Sequence, residues 1–209
     1  KSGGLSIYIE KKIPVAAGLG GGSADGAAVL RGLDRLCGTG LSVKELCAIG
    51  ETVGADIPFC IRGGCVRATG IGEIFSPAES LSGFVPVIAM GKQGSSTPLA
   101  YKAIDEAGYR PVGDARNMLS ALEKKDQNGV TASLYNAFEQ VILQTNSEAR
   151  LLKEHFIKLG AAGALMSGSG AAVFGLFAEE ADAKRGCEAL RERGFFAVVA
   201  PIVQQAGGN

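Results

Sequence analysis

The sequence predicts an α+β fold made of two mixed units. Its 209 residues, 46% of them apolar, suffice for one large core or two smaller ones. In both halves, short apolar segments suited to strands are interspersed with longer segments that have helical spacing. A polar stretch at 76–83 precedes a new apolar run at 84–90. We therefore expect two domains, 1–80 and 81–209.

The first domain is predicted to contain a strand, two helices and two further strands, at 5–9, 24–37, 43–53, 63–69 and 73–75. Alternation of apolar and polar residues predicts the first strand. Gly38 and Gly54 end the two helices, because glycine adopts the left-handed conformation that closes a helix. Ser42 and Glu45 form a capping-box pattern at the start of the second helix. The segment 54–59, between this helix and the next strand, is predicted to be a turn.

The second domain is predicted to contain strands at 84–90, 162–166, 172–177 and 196–202, and helices at 98–108, 114–125, 132–143, 147–159 and 180–193. Pro98 is tolerated at the first helical position, since its missing N–H would have no partner there. Gly108 ends that helix. The serine- and glycine-rich segment 167–170 is predicted to be a tight loop between two strands.

Composition excludes several classes of function. The formal net charge is zero, so we expect no nucleic-acid partner, which would need a clustered basic surface. No apolar run approaches 18 residues and no secretory signal precedes the first strand, so we expect no membrane span. Five cysteines without paired spacing indicate reduced thiols and a cytoplasmic location. The single histidine, His155, leaves almost no material for a Ser-His or Cys-His nucleophile.

The most informative segment is the glycine-rich stretch between the first predicted strand and helix. Residues 18–23 read Gly-Leu-Gly-Gly-Gly-Ser, and bare backbone N–H groups before a helix suit phosphate binding. A P-loop would need a lysine in this stretch, and the dinucleotide fingerprint would need glycine at Ser23. A flexible turn without a ligand stays open as the alternative. Ser23 is also expected to cap the helix, and Asp25 to lie in its first turn.

Two further features indicate chemistry. Asp56 lies in an apolar turn and is expected to be buried, and a buried charged residue needs a partner or a function. It is predicted either to act on a hydroxyl group or to cap nearby N–H groups. The loop 167–170 offers more backbone N–H donors, or is an ordinary hairpin.

The run 14–25 (Pro-Val-Ala-Ala-Gly-Leu-Gly-Gly-Gly-Ser-Ala-Asp), followed by 54–59 and the glycine pair at 63–64, resembles the GHMP kinase superfamily. The segment with Thr97 and Tyr101, and the stretch 165–170 before a Val-Phe strand, are also similar to that family. The resemblance implies a GHMP kinase fold. Its N-terminal, ATP-binding domain would be similar to domain 2 of ribosomal protein S5, truncated here, and its C-terminal domain a ferredoxin-like α/β sandwich. Gly26 departs from the family, which usually has alanine at this position.

The resemblance also implies transfer of a phosphoryl group from ATP, with Mg²⁺, to the hydroxyl group of a small molecule. Asp56 would be the catalytic aspartate that orients or deprotonates the hydroxyl group, and Ser23 would help to place Mg²⁺. The ATP-binding residues would be Pro14, Ala17, Gly18, Leu19, Gly20, Gly21, Gly22, Ser23 and Ala24. The substrate-binding residues would be Thr97, Ser167, Gly168, Ser169 and Gly170.

The three consecutive glycines favour one branch of the superfamily, whose members phosphorylate the 2-hydroxyl of 4-diphosphocytidyl-2-C-methyl-D-erythritol in non-mevalonate isoprenoid biosynthesis. Homoserine and mevalonate kinases, the alternative, usually have Gly-Leu-Gly-Ser-Ser here. The chain starts at Lys1 without methionine, and the resemblance implies a preceding segment with a catalytic lysine, an asparagine and an aromatic-histidine clamp. Lys11 and Lys12 are not assigned that role. A nucleotide-binding module inactive without that segment is a further alternative, and we expect a monomer or a homodimer.

Overall fold

The computed structural model describes residues 4–70, 72–108 and 115–203. Within these ranges it contains helices and two antiparallel sheets, one of two strands and one of four. None of the described helices combines the length and apolar character needed to cross a bilayer. The α+β class predicted from the sequence is confirmed.

Three helices form the compact part of the first domain: α1 (Gly21–Cys37), α2 (Val43–Glu51) and α3 (Ile57–Arg62). They share a small apolar core in which Ile57 and Ile61 of α3 are buried. A Cβ atom on Gly26 would lie 2.8 Å from the Ile57 side chain, and one on Gly50 only 2.6 Å from it. The departure at Gly26 therefore lets α1 and α3 approach closely.

The first domain also corrects several predictions. Residues 5–9 are not a strand, because no described strand lies beside them to complete a hydrogen-bonded ladder, and Tyr8 is 89% exposed. Helix α1 begins three residues before the predicted position 24. The predicted turn at 54–59 contains the start of α3. Helix α2 has the predicted capping box, with the Ser42 and Glu45 side chains each bonded to the other's backbone N–H.

A hairpin follows α3. Strands β1 (Val66–Thr69) and β2 (Ile74–Pro77) pair antiparallel, so both strands predicted here exist with shifted ends.

The second domain is built on an antiparallel sheet of β3 (Val85–Met90), β4 (Gly163–Met166), β5 (Val173–Phe177) and β6 (Phe196–Val199). The strand order is β4-β5-β3-β6. Helices α8 (Ser147–Lys158) and α9 (Glu180–Glu192) pack on it through buried residues that include Leu152, Phe156 and Leu190. This order, with a helical connection after β3 and after β5, is that of a ferredoxin-like sandwich.

Among the described residues between β3 and α8 lie four shorter helices: α4 (Thr97–Glu106), α5 (Ala115–Glu123), α6 (Gln127–Ala132) and α7 (Glu139–Thr145). The predicted first residue of α5, Asp114, lies outside the described residues. The single helix predicted at 132–143 is wrong, because the chain turns at 133–138 and α7 starts only at Glu139. The Asn136 side chain accepts a hydrogen bond from the Phe138 backbone N–H (2.9 Å), a local bond that competes with helical pairing.

Candidate active site

The first glycine loop, residues 18–23, runs directly into α1. Gly18 and Gly20 have φ angles of 71° and 64°, which glycine adopts readily and other residues rarely do. Gly20 is the N-cap of α1 and has no side chain, so the expected capping role of Ser23 is wrong. Ser23 is instead the third residue of the helix, where its backbone N–H has no intrahelical partner.

The carbonyl groups that lead into this loop are all bonded to the second domain. The Ser95 N–H donates to the Ala16 carbonyl and the Ala172 N–H to the Ala17 carbonyl, both at 2.9 Å. The Ser167 hydroxyl donates to the Gly18 carbonyl at 2.9 Å. The backbone N–H groups of residues 18–23, by contrast, have no hydrogen-bond acceptor in the part of the chain that the structure describes. Such a set of free N–H groups at a helix start is suited to an anion.

The second glycine loop, residues 167–170, lies directly against the first. A Cβ atom on Gly18 would lie 2.1 Å from the Ser167 carbonyl oxygen and 2.8 Å from the Gly170 nitrogen. A Cβ atom on Gly168 would lie 3.1 Å from the Gly18 carbonyl oxygen. The two loops, 149 residues apart at their hydrogen bond, therefore belong to one site.

A cleft of about 630 Å³ opens at these loops, and we call it the interdomain cleft. Most of the predicted site residues line it: Pro14, Ala17, Gly18, Leu19, Gly20, Gly21, Gly22, Ser23, Asp56, Thr97, Gly168 and Ser169. Ala24, Ser167 and Gly170 are not among the lining residues. Ala24 donates its N–H to the Gly20 carbonyl at 2.9 Å. Ser167 donates its hydroxyl to the Gly18 carbonyl, and the Gly170 backbone lies close to Gly18.

Asp56 lies at the N-cap of α3, and its side chain makes no capping hydrogen bond. The residue is exposed, although its neighbours Ile57 and Pro58 are buried, so the sequence-based expectation of a buried aspartate is wrong. Burial, with a smaller contribution from the Asp56 charge, raises the pKa of the nearby Cys60 thiol. This thiol therefore stays protonated at neutral pH.

Hydroxyl and aromatic side chains line another part of the cleft. The Thr97 and Ser169 hydroxyl groups are 2.8 Å apart and form a hydrogen bond between the two segments that carry them. Tyr101 and Phe138 also line the cleft, with ring centroids 5.0 Å apart and an interplanar angle of 85°. Sequence reasoning missed Phe138, because the single helix predicted at 132–143 gave no reason to expect its ring in a cleft.

Lys11 is a further lining residue that the sequence analysis did not assign to the site. Its ammonium group forms an ion pair with Asp25, and it lies 3.4 Å from the position that a Cβ atom on Gly21 would take. Lys11 thus brings a positive charge to the start of α1, where the loop has no lysine of its own. Because Glu10 and Lys12 beside it are also charged, no local signal in the sequence distinguished Lys11.

The cleft contains few groups for a metal ion. No cluster of three or more histidine, cysteine, aspartate or glutamate side chains that could hold a metal occurs among the residues described. Ser23 and Asp56 do line the same cleft. Mg²⁺ commonly uses one or two protein ligands together with substrate phosphates and water, so these two oxygen-bearing side chains fit that pattern.

Comparison with known proteins finds one family in both halves of the chain. The family descriptions "GHMP kinases N terminal domain" and "GHMP kinases C terminal" match residues 1–64 and 118–195. A protein of Shouchella clausii named 4-diphosphocytidyl-2-C-methyl-D-erythritol kinase is 42% identical over 90% of this chain and 63% of its own length. One of the same name from Gloeobacter violaceus is 39% identical over 98% of this chain and 69% of its own length.

Solved structures agree with this result. A crystal structure of 4-(cytidine 5'-diphospho)-2C-methyl-D-erythritol kinase has a TM-score of 0.73 at 36% identity, covering 90% of this chain and 68% of the other. A homoserine kinase from Cytophaga hutchinsonii has a TM-score of 0.76 at 20% identity, covering 93% and 69%, which shows the shared fold alone. The chain spans 63% of the length of the first of the curated relatives and 69% of the second. The free N–H groups at a glycine-rich helix start and the aspartate that lines the same cleft agree with this extent of identity. The chain therefore belongs to the GHMP kinase family.

Proposed function

We propose that the protein is a kinase that transfers the γ-phosphoryl group of ATP to the 2-hydroxyl of 4-diphosphocytidyl-2-C-methyl-D-erythritol. The observation that carries the proposal is the interdomain cleft, where the unpaired N–H groups of the first glycine loop and the Asp56 carboxylate line one space. In the reaction, the acceptor oxygen forms a bond to the γ-phosphorus while the bond to the bridging β–γ oxygen breaks. ADP leaves, and the hydroxyl proton is given up.

The first glycine loop would bind the phosphate groups. Phosphoryl transfer depends mainly on positioning and on stabilisation of charge, so preorganised N–H donors are an appropriate device. The loop is held through the carbonyls of Ala16, Ala17 and Gly18, which leaves its N–H groups for the nucleotide. Lys11 would add a positive charge next to them, and its ion pair with Asp25 holds the ammonium group in place.

Asp56 would orient the acceptor hydroxyl and accept its proton. The carboxylate is exposed to the cleft and makes no cap bond to α3, so its oxygens are free to take a hydroxyl hydrogen. The hydrogen-bonded Thr97 and Ser169 hydroxyl groups would contact polar groups of the acceptor.

Mg²⁺ would be held by Ser23, together with the nucleotide phosphates. When bound, it would neutralise the negative charge of the phosphates. The sparse set of side-chain oxygens in the cleft fits an ion that takes most of its ligands from substrate and water.

The choice of acceptor is supported by the identity levels. Relatives named 4-diphosphocytidyl-2-C-methyl-D-erythritol kinase are 39% to 43% identical to this chain. The homoserine and mevalonate kinase structures are only 13% to 21% identical. A panel of the three acceptors with ATP and Mg²⁺ should give ADP release with the diphosphocytidyl compound alone. ADP release with homoserine or mevalonate instead would contradict this choice.

The role of Asp56 is tested by Asp56→Asn, with Asp105→Asn at an exposed site on α4 as the matched control. We expect kcat to fall by about a thousandfold or more with Asp56→Asn, since an amide cannot accept the proton, while the ATP Kd stays within a factor of about two. Asp105→Asn should retain both values. Unchanged kcat in Asp56→Asn would rule out the assigned role. If the unmodified protein binds ATP but releases no ADP in the presence of any of the acceptors, a nucleotide-binding module would instead be favoured.

A further inference from the structure

The turn between α6 and α7 contains Asn136, whose amide side chain is half-buried and makes hydrogen bonds through both its nitrogen and its oxygen. Its Nδ2 group donates to the Met166 carbonyl at 2.6 Å and to the Gly168 carbonyl at 2.8 Å. Its Oδ1 atom accepts from the Phe138 backbone N–H at 2.9 Å. An amide has two N–H donors. Both are therefore engaged here, by the carbonyls on either side of Ser167.

Those two carbonyls belong to the second glycine loop and to the residue just before it, so the two hydrogen bonds from Asn136 restrain the position of this loop. Ser167, between them, donates its hydroxyl to the Gly18 carbonyl at 2.9 Å. The space between Gly168 and Gly18 is so small that a Cβ atom on Gly168 would be 3.1 Å from the Gly18 carbonyl oxygen. A displacement of the backbone at 166–168 therefore has to be transmitted to Gly18 and the N–H groups that follow it.

The same side chain also orients an aromatic wall of the cleft. By accepting from the Phe138 N–H, Asn136 fixes the backbone from which the Phe138 ring meets Tyr101. The next helix adds a second tie, because Glu139 accepts the Met166 N–H at 2.9 Å and pairs with Lys153. Met166 is thus held at both its N–H and its carbonyl by the short segment 136–139.

We infer that Asn136 is a positioning residue for the interdomain cleft: its amide sets the second glycine loop against the first and so aligns the N–H groups that bind the nucleotide. This inference rests on the proposed function for its effect on ATP, but the effect on the first loop is independent of it. Asn136 is not among the residues that line the cleft, so it acts through the backbone it holds. The role requires an amide, since a carboxylate would place an acceptor oxygen, in the position of Nδ2, against two carbonyl oxygens.

The test is Asn136→Asp, with Asn128→Asp at an exposed position of α6 as the matched control. In the folded protein, the ATP Kd should rise about tenfold with Asn136→Asp and stay unchanged with Asn128→Asp. Lowering the pH should recover part of this loss in Asn136→Asp, because a protonated carboxyl regains one O–H donor. Each value is taken relative to the control at the same pH, which removes the titration of ATP itself. A purely structural role would lower the melting temperature without this pH-dependent recovery of affinity.

Hydrogen exchange of the Ser95 and Ala172 amides, which donate to the Ala16 and Ala17 carbonyls, is measured without nucleotide and separates this inference from the proposed function. Exchange of these two amides should be at least about fivefold faster in Asn136→Asp than in Asn128→Asp, since a loosened second loop no longer holds the first. Equal exchange in the two variants overturns the inference, whether or not the protein binds ATP. Faster exchange together with failure of the unmodified protein to bind ATP would support the positioning role and reject the kinase proposal. If Asn136→Asp does not fold, Asn136→Ala, which adds no charge, takes its place with Asn128→Ala as control, and the hydrogen-exchange criterion then decides alone.

Discussion

Gly18 is the position where the structure leaves least room, so Gly18→Ala is the sharpest test of the interdomain arrangement. Alanine at a φ of 71° costs about 1–2 kcal/mol, because its Cβ crowds the backbone in the left-handed region. The added Cβ would also lie 2.1 Å from the Ser167 carbonyl oxygen, well inside the 3.0 Å below which real contacts are essentially not seen. That neighbour is backbone, so the second loop has to move, at a further cost of about 1–3 kcal/mol.

Two other glycines of the same loop are matched controls. Gly20 has a similar φ of 64°, but a Cβ atom there would meet nothing within 4 Å. Gly20→Ala should therefore lose only the backbone term, about 1–2 kcal/mol. Gly22 lies in α1 with equally open space around it, so Gly22→Ala should be neutral or up to about 1 kcal/mol more stable.

The assay is the free energy of unfolding from urea titration of the three variants and the unmodified protein, followed by ATP affinity at a temperature where all are folded. The expected order of stability is Gly22→Ala, then Gly20→Ala, then Gly18→Ala, with the last about 2–5 kcal/mol below the unmodified protein. Equal losses in Gly18→Ala and Gly20→Ala would show that the two glycine loops do not touch in solution.

Two further predictions concern charge. Lys11→Met should raise the ATP Kd about tenfold or more and make this Kd less dependent on salt, because the cleft loses a cation. Both quantities are measured by calorimetry. Substitution of the exposed neighbour, Lys12→Met, should change neither the Kd nor its salt dependence. Ser42→Ala should destabilise the protein by about 1 kcal/mol in urea unfolding. Hydrogen bonds from the Ser42 side chain and backbone lower the pKa of the Glu45 carboxyl, so the contribution of the Glu45 carboxylate to this cap is present near neutral pH and is lost as the pH falls through the acidic range where Glu45 protonates, whereas the bond from the Glu45 N–H to the Ser42 hydroxyl remains. A Ser42→Ala effect that grows at acid pH would contradict this assignment.

The predictions that rested on local rules were largely confirmed. The capping box at Ser42 and Glu45 depends on residues three positions apart, so no distant part of the chain decides it. The helix after the glycine-rich stretch was also predicted from local rules and exists, although it begins at Gly21 with Gly20 as its N-cap and not at residue 24 with Ser23 as the cap. The four strands predicted in the second domain all exist, because their apolar runs are buried in one sheet.

Other errors occur where a distant partner decides the outcome. The alternation at 5–9 indicates a strand only if another strand lies beside it, and none does among the residues described. The helix predicted at 132–143 has suitable spacing, but Asn136 binds carbonyls of Met166 and Gly168 instead, some thirty residues away. Phe138 and Lys11 were missed as cleft residues for the same reason, since the cleft wall is assembled from several separate segments.

The sequence by itself determined the α+β class and the family, and it predicted phosphate binding by residues 18–23, because these depend on residue types at fixed spacing. Only the tertiary structure decided that the second glycine loop supports the first, and that Asp56 is exposed at the cleft. Contacts of this kind form when two domains pack, and their geometry depends on how backbone atoms far apart in the chain are brought together. The glycines at 18 and 168 are visible in the sequence, but the reason that a side chain at Gly18 has no room is the Ser167 carbonyl facing it.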